Sequence, residues 1–130
     1  GTFGYELSPA LLTEEKRAEI SRQIAQFKTD AALVQHGDYY RLSDPFTAPC
    51  AAWAFVSEDG SEAMICAVLQ DNHANMPALY IRPRGLSPDA IYRDRETGRL
   101  YPANALMDMG LPLPAGLRQY DSHVWRLERV

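Results

Sequence analysis

The chain has 130 residues, of which 46% are hydrophobic and 23% charged, with a formal charge of -4. That is enough for one ordinary core, and the composition lacks the biases of disordered, fibrous or membrane-spanning chains. Basic residues are scattered in ones and twos, and no apolar run approaches the roughly 20 residues that cross a bilayer, so neither nucleic acid nor membrane is an expected partner.

The opening Gly1-Thr2-Phe3-Gly4-Tyr5-Glu6-Leu7 has the look of a strand and lacks the basic and apolar regions of a signal peptide. With no initiator methionine, residue 1 is expected to lie inside a longer polypeptide. From Leu12 to Val34 the apolar residues Ile20, Ile24, Phe27, Ala31 and Val34 recur at intervals of four and three among charged positions. This spacing predicts an amphipathic helix over about residues 14–35, with a break at Thr29-Asp30 as an alternative. Thr13 supplies an N-cap, Glu14 and Glu15 complement the helix dipole, and Gly37 stops the helix.

Beyond Gly37 the texture changes to short aromatic and β-branched segments punctuated by Asp44-Pro45, Asp59-Gly60, Met76-Pro77, Ser87-Pro88, Thr97-Gly98 and Gly110-Leu111-Pro112. The pattern predicts a mainly β fold, an antiparallel Greek-key sandwich preceded by one helix. Expected strands are Tyr39–Leu42, Ala51–Ser57, Ala63–Gln70, Leu79–Arg84, Ala90–Arg95, Arg99–Tyr101 and His123–Arg129. Pro83 marks an edge strand, and Trp125 and Leu127 alternate inward against Arg126 and Glu128.

A turn at Ser57–Glu62 that sets Glu58 opposite Ser61 pairs Trp53 with Cys66 and Cys50 with Leu69. The two cysteines are then too far apart for a disulfide and read as buried free thiols, which suits a reducing compartment such as the cytoplasm. Both faces of this hairpin are apolar, one bearing Trp53, Phe55, Met64 and Cys66, the other Ala52, Ala54, Val56, Ala63, Ile65 and Ala67. An isolated two-layer sandwich needs a polar outer face. The small-residue face is therefore expected to be covered by the chain's own helix or by another domain.

Glycosidic hydrolysis usually requires two carboxylates on rigid elements in a cleft. None is identifiable: Asp59 falls in a tight turn, Glu14 and Glu15 open a helix, and Asp94 and Glu96 flank a second turn. No catalytic residue is assigned. His36, His73 and His123 lack the spacing of a metal site, and no phosphate loop or other cofactor motif is present. Tyr39, Tyr40, Tyr80, Tyr92, Tyr101 and Trp53 are available for stacking on sugar rings, although most are needed in the core.

Several clusters, in order, resemble the C-terminal region of family 36 α-galactosidases among glycoside hydrolases. They are Phe3-Gly4-Tyr5-Glu6-Leu7; Gln35, Gly37-Asp38, Tyr40-Arg41-Leu42 and Pro45-Phe46; Ala51-Ala52-Trp53 with Val56-Ser57. Gly85-Leu86, Leu106-Met107, Gly110-Leu111-Pro112 and Ser122 with Trp125, Leu127 and Glu128 complete the series. Ser8 departs from the family, where an Asp is common, and so does Ala103 or Asn104, where a Gly is common before the Leu-Met cluster.

The resemblance implies that residues 1–37 are the last strand and helix of a truncated (β/α)8 barrel and residues 38–130 the C-terminal antiparallel sandwich packed on it. It also implies a retaining parent that releases terminal α-linked galactose from oligosaccharides such as melibiose and raffinose, its aspartates lying outside this segment. The expected partners are the parent's catalytic barrel, the carbohydrate bound by that parent, and a homo-oligomer. A stand-alone carbohydrate-binding module and a self-associating interaction domain remain alternatives. Titration with galactose, melibiose and raffinose separates the first from a packing domain, and light scattering at several concentrations tests the second.

Overall fold

The computed structural model describes residues 4–130. A 3-10 turn at Pro9–Leu11 leads into α1, Glu14–His36. Then follow β1 (Asp38–Arg41), β2 (Cys50–Val56), β3 (Glu62–Leu69), β4 (Tyr80–Ile81), β5 (Ile91–Asp94), β6 (Leu100–Pro102), α2 (Ala103–Met109), β7 (Leu111–Pro112) and β8 (Ser122–Arg129). Six strands form one antiparallel sheet in the order β1-β2-β3-β8-β5-β6, and β4 pairs with β7 in a second, two-stranded sheet. The fold is mainly antiparallel β with one helix in front, as the sequence pattern predicts.

Local chemistry fixes the elements. The Thr13 hydroxyl caps α1 by accepting from Lys16 N at 3.3 Å, and the Gly37 amide closes the other end on Leu33 O at 2.8 Å. No break occurs at Thr29-Asp30: the helix continues through both, with the Thr29 hydroxyl donating back to Ala25 O at 3.1 Å. A β-carbon at Gly37 would sit 2.5 Å from Leu33 O and 2.9 Å from Val56 O, so only glycine lets the chain pass from α1 into β1 this close to β2. Residues 4–8, read from the sequence as part of a strand, pair with no strand here, and residues 1–3 lie outside the described residues. An isolated extended segment has no ladder to join.

Trp53 pairs with Cys66 and Cys50 with Leu69, the expected register, and both thiols are free and buried. The small-residue face, expected to be covered by the helix or by another domain, is covered instead by a second layer of the same sandwich. Cys50, Ala52, Ala54 and Val56 of β2, Ala63, Ile65, Ala67 and Leu69 of β3, and Trp125 and Leu127 of β8 form the inner face of the main sheet. Onto it pack Ile81, Leu86, Ala103, Leu106 and Leu111 from the small sheet, α2 and the intervening loop. The alanines admit this second layer at close range. Helix α1 lies on the opposite face, with Trp53, Phe55, Met64, Cys66 and Arg126.

The short elements α2 and β7 complete that second layer, and neither was expected from the sequence. Leu79–Arg84 is likewise reduced to a two-residue strand, with Pro83 buried just beyond it. Tyr92 ties the two layers together: its ring is fully buried, its hydroxyl donates to Gly60 O at 2.6 Å and accepts from Ser87 N at 3.1 Å.

Helix α1 is fastened by a bidentate pair, with Arg126 Nε 3.1 Å and Nη2 2.7 Å from the Asp30 carboxylate. Arg126 lies on β8 and Gly37 packs against β2, two strand spacings or about 10 Å apart. The seven-residue rise from Asp30 to Gly37 is also about 10 Å, so this stretch of α1 reaches from β8 to β2. Its C-terminal third lies on the sheet, and the roughly 24 Å from Glu14 to Asp30 overhang it. No residue of α1 is fully buried.

Two consequences can be measured by chemical unfolding. Asp30→Ala, which leaves the Arg126 guanidinium half-buried without its carboxylate, should cost about 2 kcal/mol, and the Asp30/Arg126 double-mutant cycle should give a coupling of about 1–2 kcal/mol. Gly37→Ala should cost about 1–3 kcal/mol, because the helix end must move off Val56 to make room.

Candidate functional site

The two aspartates singled out from the sequence, Asp59 and Asp94, are engaged in turns. Asp59 accepts from the Ser57 hydroxyl at 2.8 Å, the Ser61 hydroxyl at 2.7 Å and Ser61 N at 2.9 Å, organising the β2–β3 turn. These donors, led by Ser61, hold its carboxyl down at about 2, well below the ordinary 3.8. Asp94, buried at the end of β5, accepts from Glu96 N at 3.1 Å and the Thr97 hydroxyl at 2.6 Å, while Glu96 itself is exposed. Glu14 and Glu15 are exposed in the first turn of α1. Glu128 bridges Arg93 and Arg95, and Arg95 also meets Glu62. The Arg93 and Arg95 hydrogen bonds push the Glu128 carboxyl below its ordinary range.

The remaining candidates are equally dispersed. His36 ends α1, His73 lies 3.6 Å from Asp71, and His123 packs edge-on against Trp125 with ring centroids 4.5 Å apart. Among the described residues no three potential ligands cluster as a metal site would require. Burial raises the Cys50 thiol above its ordinary range. Burial also pushes Cys66 up to about 11, against the Arg126 charge and with the help of Asp30, so the thiolate nucleophile is suppressed. The aromatic residues form no single platform: Tyr92 is core, Tyr40 lies against Gly85, and Tyr39 packs edge-on with Phe55. Exposed Tyr80 stands on the other sheet.

What the structure does assemble is an apolar groove of about 500 Å³ along the overhanging half of α1. Ile20, Ile24 and Phe27 of the helix line it together with Leu7 and Leu12 of the segment before it. Ile24 is 36% exposed and Leu7 46%. Sequence reasoning found Ile20, Ile24 and Phe27 as part of the apolar stripe of the helix but gave no measure of how much of it is covered. The signal it lacked was the placement of the helix on the sheet, which decides how much of a 23-residue helix one sheet can shield.

A main sheet closed by a short second layer, with a capped helix overhanging its far side, defines the class: an antiparallel β-sandwich domain with an apolar surface suited to packing. The glycosyl hydrolase family 36 C-terminal domain matches residues 50–127, more than half of the sequence. This chain belongs to that family.

Among curated relatives, the bifunctional alpha-galactosidase/sucrose kinase AgaSK of Mediterraneibacter gnavus is 46% identical over 95% of this chain and 13% of its own length. Alpha-galactosidase AgaA of Geobacillus stearothermophilus is 39% identical over all of this chain and 18% of its own. The solved galactosidase domain of AgaSK superposes with a TM-score of 0.92 at 42% identity, covering 98% of this chain and 18% of that structure. Crystalline AgaA gives 0.91 at 39% identity, over 98% and 18%. The chain therefore spans less than a fifth of the length of these relatives.

The Asp59 turn yields a pH prediction. A carboxylate whose folded value is depressed stabilises the fold above its unfolded value, so the contribution is present above about pH 4 and lost as pH falls toward 2. Asp59→Asn should lower the melting midpoint at neutral pH and flatten its decline between about pH 4 and 2. Calorimetric scans across that window check both effects.

Proposed function

We propose that this chain is the non-catalytic C-terminal accessory domain of a retaining α-galactosidase whose remaining part releases terminal α-linked galactose from oligosaccharides such as melibiose and raffinose. The domain packs against the catalytic (β/α)8 barrel and stabilises it, with residues 1–37 contributing the barrel's last strand and helix and residues 38–130 the sandwich. The observation that carries this reading is the open groove of Leu7, Leu12, Ile20 and Ile24 on the overhanging half of α1. A helix that is apolar there needs more surface than its own sheet provides. Family membership and the named activities of the relatives support the parent's chemistry, and the engagement of Asp59 and Asp94 in turns supports placing that chemistry elsewhere. The two buried reduced cysteines favour a cytoplasmic protein.

The test uses the full-length parent. Ile24→Asp, placing a charge in the packing surface, should lower its thermal midpoint by several degrees while leaving kcat/KM on p-nitrophenyl α-galactoside near normal well below that midpoint. The 130-residue chain alone should show no turnover of this substrate. An unchanged midpoint would remove the packing role, and turnover by the chain that disappears on mutating one of its carboxylates would overturn the non-catalytic assignment.

A further inference from the structure

The loop between β1 and β2 holds an aromatic ring in solvent on a stiff frame. Phe46 is 93% exposed, the most exposed large hydrophobic residue among those described. Its support is not that of a floppy loop. Asp44 accepts from Phe46 N and from the Thr47 hydroxyl, each at 3.0 Å, while its carbonyl receives Thr47 N and Ala48 N. The Ser43 hydroxyl donates to Cys50 O at 2.7 Å and accepts from Ala52 N at 2.8 Å, stitching the loop to the buried end of β2.

A ring presented this way loses little conformational freedom when it is covered, which is the economy found at interface anchors. Beside it, Arg41 and Arg84 line a cleft of about 290 Å³ with Leu42, Ser43 and Asp44. Neither arginine belongs to an ion pair among the described residues, and Asp44, which faces the cleft, balances only one of the two charges. The surface is thus an aromatic knob with a net positive flank.

We infer that the Phe46 loop is a second docking element, received by the catalytic part of the parent in an apolar pocket edged by carboxylates. This rests on the packing role proposed above and adds to it the place and chemistry of another contact. The catalytic part is the occupant because this chain accounts for only 18% of the solved relatives it superposes on, leaving most of such an enzyme to face it. The carboxylate edge follows from the uncompensated arginine charge.

Phe46→Cys in the full-length parent converts burial of this position into a rate. Reaction of the introduced thiol with a maleimide is followed in the folded protein and in the same protein unfolded in urea, with the unsubstituted parent as background. Burial predicts labelling at least about 100-fold slower in the folded state, independent of protein concentration, and adding Arg84→Glu should speed it about 10-fold. Labelling at the unfolded rate overturns the inference. Protection that fades on dilution also overturns it, since the occupant is then a second copy, and indifference to Arg84→Glu overturns the acidic edge. The Ile24→Asp midpoint keeps the two readings apart: if it falls while the introduced thiol reacts freely, only the knob is lost, whereas an unchanged midpoint removes the packing role itself.

Discussion

Ile65 and Cys66 are neighbours on β3, point to opposite faces of the sheet and are both buried. A strand buried on both sides must be sandwiched, and the rest of the molecule follows from meeting that demand twice. On the Ile65 side the demand is met from within, by Ile81, Leu86, Leu106 and Leu111 in a layer too small to form an ordinary second sheet. On the Cys66 side it is met by the C-terminal third of α1, fixed by Arg126 to Asp30. Because β3 is central between β2 and β8, any slip in its register would move alanines and bulky residues to the wrong layers together.

Much of this was legible wherever the chemistry is local. The Thr13 cap, the Gly37 stop and the turn around Asp59 are built from residues within a few positions of each other, and the turn alone sets Trp53 against Cys66. What escaped depends on contacts distant in sequence. Helix α2 has seven residues, too few for a 3.6-residue period to declare itself, and β7 is two residues ended by a proline. With those elements unread, the alanine face had no visible partner within the strands, and the long helix and another domain stood as its candidates. The tether from Tyr92 to Gly60 spans 32 positions and was equally invisible.

For the functional surface the limit was different in kind. Periodicity identified Ile20, Ile24 and Phe27 correctly as one stripe, but a stripe says nothing about how far its shield extends. Phe46 lay inside a cluster that carried the family resemblance, yet nothing in Pro45-Phe46 distinguishes a ring turned into a core from one held out in water. The turn positions of Asp59 and Asp94 were legible more directly, because Asx-type turns have short-range signatures: Asp59 two residues before Ser61, and Asp94 three before Thr97.

The overhang of α1 also has a mechanical side. With its fulcrum at the Asp30–Arg126 pair, the overhanging segment is a lever about 24 Å long, so a tilt of about 5° at the fulcrum carries Glu14 through about 2 Å. That distance is large beside the tolerances of close-packed surfaces. One ion pair on the far side of the sandwich thus acts as an alignment pin for a helix tip many residues away.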